Sequence, residues 1–115
     1  MAWKTEYTAQ VGRDLDLIFD HLFQSYRSFG EPAGDAFERA ALRLRAIKAA
    51  GDAIATAPHR GTRRDDILPG ARSVTIDRAI FWFALDEARR TVRILAVVFG
   101  DRDHVRHMLV RLLEE

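Results

Sequence analysis

Cysteine is absent from this 115-residue chain. That excludes disulfide staples and thiolate metal centres and fits a reducing, cytoplasmic setting. Lysine is nearly absent too: Lys4 and Lys48 are the only two, and the rest of the 18 basic residues are arginine. Net charge is low, at +1, so no whole-molecule field draws the protein to nucleic acid. No apolar run approaches the roughly 18 residues that cross a bilayer; the longest, Ile94 to Phe99, suits a buried strand. Met1 runs straight into Ala2-Trp3-Lys4-Thr5, so no charged-then-apolar leader and no membrane partner are expected. No internal repeat, low-complexity tract or linker interrupts the chain, which predicts a single domain over residues 1–115.

Apolar residues make up 48% of the sequence, enough for a core without staples. The preference for arginine has two readings. One is a GC-rich genome. The other is bidentate recognition of carboxylate or phosphate, for which the guanidinium is better shaped than an ammonium.

The hydrophobic periods give the elements. Trp3, Thr5 and Tyr7 alternate with Lys4, Glu6 and Thr8, the period of a short strand. Val11, Leu15, Ile18, Phe19, Leu22, Phe23 and Tyr26 then trace one face of a helix, with Thr8 placed to cap it and Gly30 to end it. A second helix opens at Glu31-Pro32, and Phe37, Ala40, Ala41, Leu44, Ile47 and Ile54 mark its inner face. Gly51 weakens its end and Pro58 stops it. The short connection predicts an antiparallel helical hairpin. Residues 59–70 are polar, with Gly61, Pro69 and Gly70, and read as a loop. Three strands follow, around Val74 and Ile76, over Ile80 to Leu85 and over Val92 to Phe99, with a polar turn at 86–90. A last amphipathic helix carries Val105, Met108, Leu109, Leu112 and Leu113. The predicted fold is α+β: a small antiparallel sheet packed against an N-terminal helical hairpin, with a short C-terminal helix.

Four motifs resemble one family in their order and spacing. Asp14-Leu15-Asp16-Leu17-Ile18-Phe19 resembles an acidic-Leu opening of the first helix. Pro58-His59-Arg60-Gly61 resembles a Pro-x-x-Gly after the second. Gly70-Ala71-Arg72-Ser73-Val74 resembles a Gly-x-Arg entry into the sheet. Gly100-Asp101-Arg102-Asp103, following Val92-Arg93-Ile94-Leu95, resembles the end of the last strand. Across nearly its whole length the chain resembles the RelE/ParE toxin superfamily, in its ParE-like branch of plasmid stabilisation toxins. Two positions depart from that pattern: Phe99 stands where the family often has histidine, and Phe81-Trp82-Phe83 where it often has Tyr-x-Val.

The resemblance implies the toxin component of a bacterial type II toxin–antitoxin system, silenced by a cognate antitoxin in a heteromeric complex. Operator DNA would be reached only through that antitoxin. RelE-type relatives are metal-independent endoribonucleases that cut messenger RNA on the ribosome and need a base, cations and an acid. Here no lysine follows Lys48, and the expected C-terminal tyrosine falls near Met108, which cannot transfer a proton. The resemblance therefore points to a ParE-like inhibitor that acts on DNA gyrase by binding, and not to an enzyme. A ribonuclease that uses Arg72, Arg102 and His104 is the alternative, and a non-toxic regulatory relative the third.

Candidate contact residues for nucleic acid or an acidic partner are Arg60, Arg63 and Arg64 on the polar loop, with Arg72 at a strand start. Against them stands a solvated loop balanced by Asp65 and Asp66. Arg102, between Asp101 and Asp103, reads as a structural ion pair. His104 and His107, three apart, lack a third ligand, so no metal and no cofactor are expected. His21 and His59 read as lone histidines, and Trp3, Phe81 and Trp82 as core.

Overall fold

The computed structural model describes residues 2–100 together with Arg106 and Val110. In chain order the elements are β1 (Lys4–Tyr7), α1 (Ala9–Ser28), α2 (Ala33–Ala53), a 3-10 turn (Ile54–Thr56), β2 (Thr62–Arg63), β3 (Ala71–Ile76), β4 (Ala79–Asp86) and β5 (Thr91–Val98). The five strands form one sheet in the order β1-β5-β4-β3-β2. The helical hairpin lies on it, α1 over β5 and the end of α2 over β1 and β4. The α+β architecture is therefore as expected.

Three details differ from the expectation. The sheet is mixed, because β1 joins β5 in parallel while the other pairs are antiparallel. The polar stretch after α2 is not all loop: Thr62 and Arg63 add a two-residue strand to β3. Phe37 is 56% exposed and sits on the outside of the hairpin, edge-on to Phe19 at 5.1 Å. The inner face of α2 is carried instead by Ala36, Ala40, Ile47 and Gly51, small residues that let the helix lie close. Arg106 and Val110 are helical and exposed; Arg102, His104, His107 and Met108 lie outside the described residues.

The core forms around the two central strands. Phe81 and Phe83 of β4 and Val92, Ile94 and Val97 of β5 are fully buried with Val11 and Ile18 of α1. Gly51 is explained by close approach: a Cβ there would meet Phe81 Cε1 and the Tyr7 hydroxyl, each at 3.1 Å. The β3–β4 hairpin turns on Asp77 and Arg78, both left-handed at φ 49° and 71°, the geometry of a tight two-residue turn that matches strand twist.

The rim of β5 sets how α1 enters. β1 covers β5 only from Thr91 to Ile94. Beyond that point the backbone is met by groups from the start of α1. Thr8 N donates to Ile94 O at 3.1 Å and Thr8 Oγ1 to Leu95 O at 3.0 Å. Asp14, only 5% exposed, accepts the Val97 amide on Oδ2 at 2.9 Å and Gln10 Nε2 on Oδ1 at 2.8 Å. Thr8 thus stands at the start of α1 but spends its hydroxyl on the sheet and makes no side-chain cap. Leu95 is the extra residue of a bulge, since Trp82 pairs with Ala96 and Phe83 with Ile94.

At this same end of β1, the Tyr7 hydroxyl donates to Asp52 Oδ1 at the end of α2, with Lys48 above the ring. Burial, then the hydrogen bond to Asp52 and its charge, hold the phenol well above its ordinary pKa of 10.0. The neutral phenol is therefore the folded form. A raised pKa favours folding below pH 10.0 and loses that contribution as pH climbs above it.

Two outcomes follow. Asp14→Ala leaves the Val97 amide buried and unpaired and is expected to cost about 2–3 kcal/mol. Thermal unfolding should show a fall in Tm of roughly 10 °C, with Asp14→Asn milder. In alkaline denaturation, wild type is expected to lose stability from about pH 10 upward more steeply than Tyr7→Phe; parallel curves for the two proteins would contradict the Tyr7–Asp52 assignment.

Candidate functional site

Two surfaces have the makings of a site. The first lies where α2 runs out and the β2, β3 and β4–β5 ends meet. β2 exists because Gly61, at φ 84°, turns the chain so tightly that a Cβ would lie 2.5 Å from Ser73 O. This places Thr62 opposite Ser73 and Arg63 opposite Arg72. Direct cross-strand partners share a face. Arg72 also pairs with Phe83, so both arginines stand on the face that carries Phe81 and Phe83, beyond the end of α2. They line a polar pocket of about 200 Å³ with Gly70, Ala71, Leu85 and Glu87.

Each arginine of the predicted cluster goes to a different task. Arg63 pairs with Asp65 at 3.2 Å. Arg72 Nη1 donates to His59 O at 3.1 Å, which ties the chain after α2 to the sheet. Arg64 turns to the opposite face, where its guanidinium lies 5.3 Å from the Trp82 ring centroid and 3.5 Å from Asp66. Arg60 Nε donates to Ala57 O at 3.2 Å and closes the turn after the 3-10 segment. The structure thus brings Arg63 and Arg72 together and separates Arg60 and Arg64 from them.

It also adds residues that the sequence does not single out. His59 Nε2 meets Glu87 Oε1 at 2.8 Å, and Glu87 lines the pocket. The His59 ring stands edge-on to Trp3 at 5.6 Å. His59 and Glu87 are 28 residues apart, on a turn and a strand connection, and no local spacing announces the pair. Trp82, read as core, is 3% exposed, and its Nε1 finds no hydrogen-bond partner among the described residues. Among those residues no group of three His, Asp or Glu side chains is placed to hold a metal.

The second surface is on the hairpin. Leu15 and Phe19 of α1 and Ala41 and Leu44 of α2 line an apolar cleft of about 270 Å³, with Arg45 and Lys48 on its α2 rim. Phe19 stacks near-parallel with Phe23 at 6.4 Å and meets Phe37 edge-on. Leu42, 64% exposed, and Phe29, 87% exposed, extend the apolar character of the hairpin surface. No described helix is long and apolar enough to cross a membrane.

No protein-family model and no curated protein matches the sequence. Solved structures do. One described as the chromosomal ParDE toxin–antitoxin system from P. aeruginosa aligns with a TM-score of 0.64 at 20% identity, covering 87% of this chain and 98% of that one. The toxin–antitoxin complex RelBE2 from Mycobacterium tuberculosis aligns with a TM-score of 0.57 at 18% identity, covering 87% of this chain and all of that one. The chain thus shares its fold, a two-helix hairpin on a five-stranded mixed sheet, with these two structures.

Proposed function

We propose that this chain is the toxin of a type II toxin–antitoxin pair, of ParE type, that acts by binding DNA gyrase and is silenced by a cognate antitoxin. The observation that carries the reading is the likeness to the ParDE structure over 87% of the chain, which spans almost all of the matched one. Sequence supports the choice of the binding branch: the lysines and the C-terminal tyrosine that RNA cleavage would use have no counterparts after Lys48. The whole of residues 1–115 would form one such domain in the bacterial cytoplasm. Arg63 and Arg72 are the contact residues we assign to the target-facing surface; Arg60 and Arg64, engaged on Ala57 and on Trp82, are not part of it.

The antitoxin is assigned to the hairpin cleft. An amphipathic helix laid along Leu15, Phe19, Ala41 and Leu44 buries apolar surface, and Arg45 and Lys48 favour acidic residues on its flank. DNA contact at an operator would then come from the antitoxin's own DNA-binding part.

Induction of the chain alone, and together with its adjacent gene, tests the toxin reading. The expected result is growth arrest with filamentation and a DNA-damage response, relieved by the neighbour, and inhibition of gyrase supercoiling by the purified protein. Rapid translation arrest with cut messages would replace this reading by the ribonuclease; absence of any growth effect would leave a regulatory relative. For the cleft, Phe37→Glu and Arg45→Glu are both exposed changes. Each is expected to weaken capture of the antitoxin about tenfold, with circular dichroism unchanged; full affinity in both variants would move the antitoxin to another surface.

A further inference from the structure

The outward face of α2, opposite the side that meets the sheet, carries one large apolar side chain among sorted charges. Leu42 is 64% exposed there and does not line the hairpin cleft. Asp35, Arg39, Ala46 and Ala49 are exposed too, at spacings of three, four and seven from Leu42, so they share its face. Leu42 lines two open hollows. One, of about 400 Å³, is walled by Glu31, Asp35, Glu38 and Arg39. The other, of about 290 Å³, is walled by Tyr26, Arg39, Arg43 and Ala46. A projecting side chain beside hollows that can seat its like is how helices interlock as knob and hole.

The charges of this face divide at Leu42. Glu31, Asp35 and Glu38 come before it, Arg45 and Lys48 after it. Arg39, the cation on the acidic side, is already held by Glu31 Oε1 at 2.7 Å and lies 4.2 Å from the Tyr26 ring centroid. Arg43 is half-buried and donates to the Asp77 carbonyl. The helix dipole favours acid in the first turn, where Asp35 sits, but its field fades beyond that turn. Glu38 and Arg45 lie deeper in the helix and owe nothing to it. Asp35, Glu38 and Arg45 have no ion-pair or hydrogen-bond partner among the described residues. Glu31 Oε2 is buried and equally without a donor among them; such an acceptor gains from an N–H brought in from outside.

An antiparallel copy of the same helix answers each of these features. Glu38 stands four residues before Leu42 and Arg45 three after it. Asp35 and Lys48 stand seven before and six after. Two α2 helices crossing at Leu42 therefore set Glu38 of each copy opposite Arg45 of the other, and Asp35 opposite Lys48. A two-fold axis requires this inverse pattern, because one surface must complement itself. We infer that the outward face of α2 is the seam of a homodimer of this chain. Leu42 packs on Leu42 of the second copy, and Ala46 and Ala49 let the helices close. Arg45 of each copy enters the acidic hollow of the other, where Glu38 and Glu31 supply acceptors. The seam is a property of the chain alone and does not rest on the toxin reading.

Sedimentation velocity on the purified full chain, over a range of concentrations, tests the seam. A reversible monomer–dimer equilibrium is expected, weakening as salt rises. Leu42→Glu sets like charges against each other at the axis and is expected to leave monomer alone. Glu38→Arg and Arg45→Glu are each expected to weaken the dimer about tenfold or more. The double variant Glu38→Arg/Arg45→Glu exchanges the two signs and is expected to return to within about threefold of wild type. Phe37→Glu, on the outside of the hairpin beside Phe19, is expected to change the equilibrium by less than about twofold. Circular dichroism confirms that each variant is folded. A wild-type chain that stays monomeric, a dimer indifferent to Leu42→Glu, or a double variant no better than the single ones overturns the proposal. So does dissociation by Phe37→Glu with Leu42→Glu still dimeric, which would place self-association in the hairpin cleft.

Discussion

The buried carboxylate of Asp14 is the interaction on which the remaining layout depends. A parallel strand of four residues cannot cover a partner of eight, and uncovered amides on a buried rim must find acceptors elsewhere. Asp14 supplies one to Val97 and Thr8 supplies donors to Ile94 and Leu95, so the first turn and a half of α1 acts as a continuation of β1. That fixes where α1 crosses the sheet. With α1 fixed, the small residues of α2 settle its approach, and Gly51 allows its end to press on Phe81 and Tyr7. The acidic-Leu motif at Asp14-Leu15 thus has a mechanical meaning: one residue bonds the sheet, and its neighbour faces the hairpin cleft.

The end of α2 in turn decides what the far end of the sheet can display. Because the helix gives way to a 3-10 turn at Ile54, His59 emerges beside β3 and its carbonyl can take Arg72. The tight turn at Gly61 then brings Arg63 alongside. Helix termination, a glycine turn and a two-residue strand are local events, yet together they assemble a cationic pocket from residues on three elements. The hairpin cleft lies between the two helices, away from that pocket. One fold thereby offers separate apolar and polar recognition surfaces.

Much of this architecture was legible in the sequence. The periods of two and of three to four located both helices and the strands around Val74, Phe83 and Ile94, because burial imposes those periods directly. The parallel placement of β1 was not legible, since four alternating residues carry no information about partner direction. Phe37 misled for a similar reason: an apolar residue one position off the stripe looks like core until the small neighbours Ala36 and Ala40 are seen to do the packing. For the site, Arg63 and Arg72 were readable as candidates, but their pairing depended on a strand too short to have a period. The His59–Glu87 contact links positions far apart in the chain, and a lone histidine in sequence gives no sign of the carboxylate that tertiary structure brings to it.

The turn at Asp77 and Arg78 has a consequence for how the chain avoids alternative pairings. Two successive left-handed residues permit one tight connection between β3 and β4. A slip of a single position would exchange the faces of β4, sending Phe81 and Phe83 to the side of Trp82 and the indole toward the helices. Neither helix could then close over the sheet, for Gly51 is shaped to receive a phenyl ring. The two left-handed residues thus act as a registration mark for the pairing of β3 with β4.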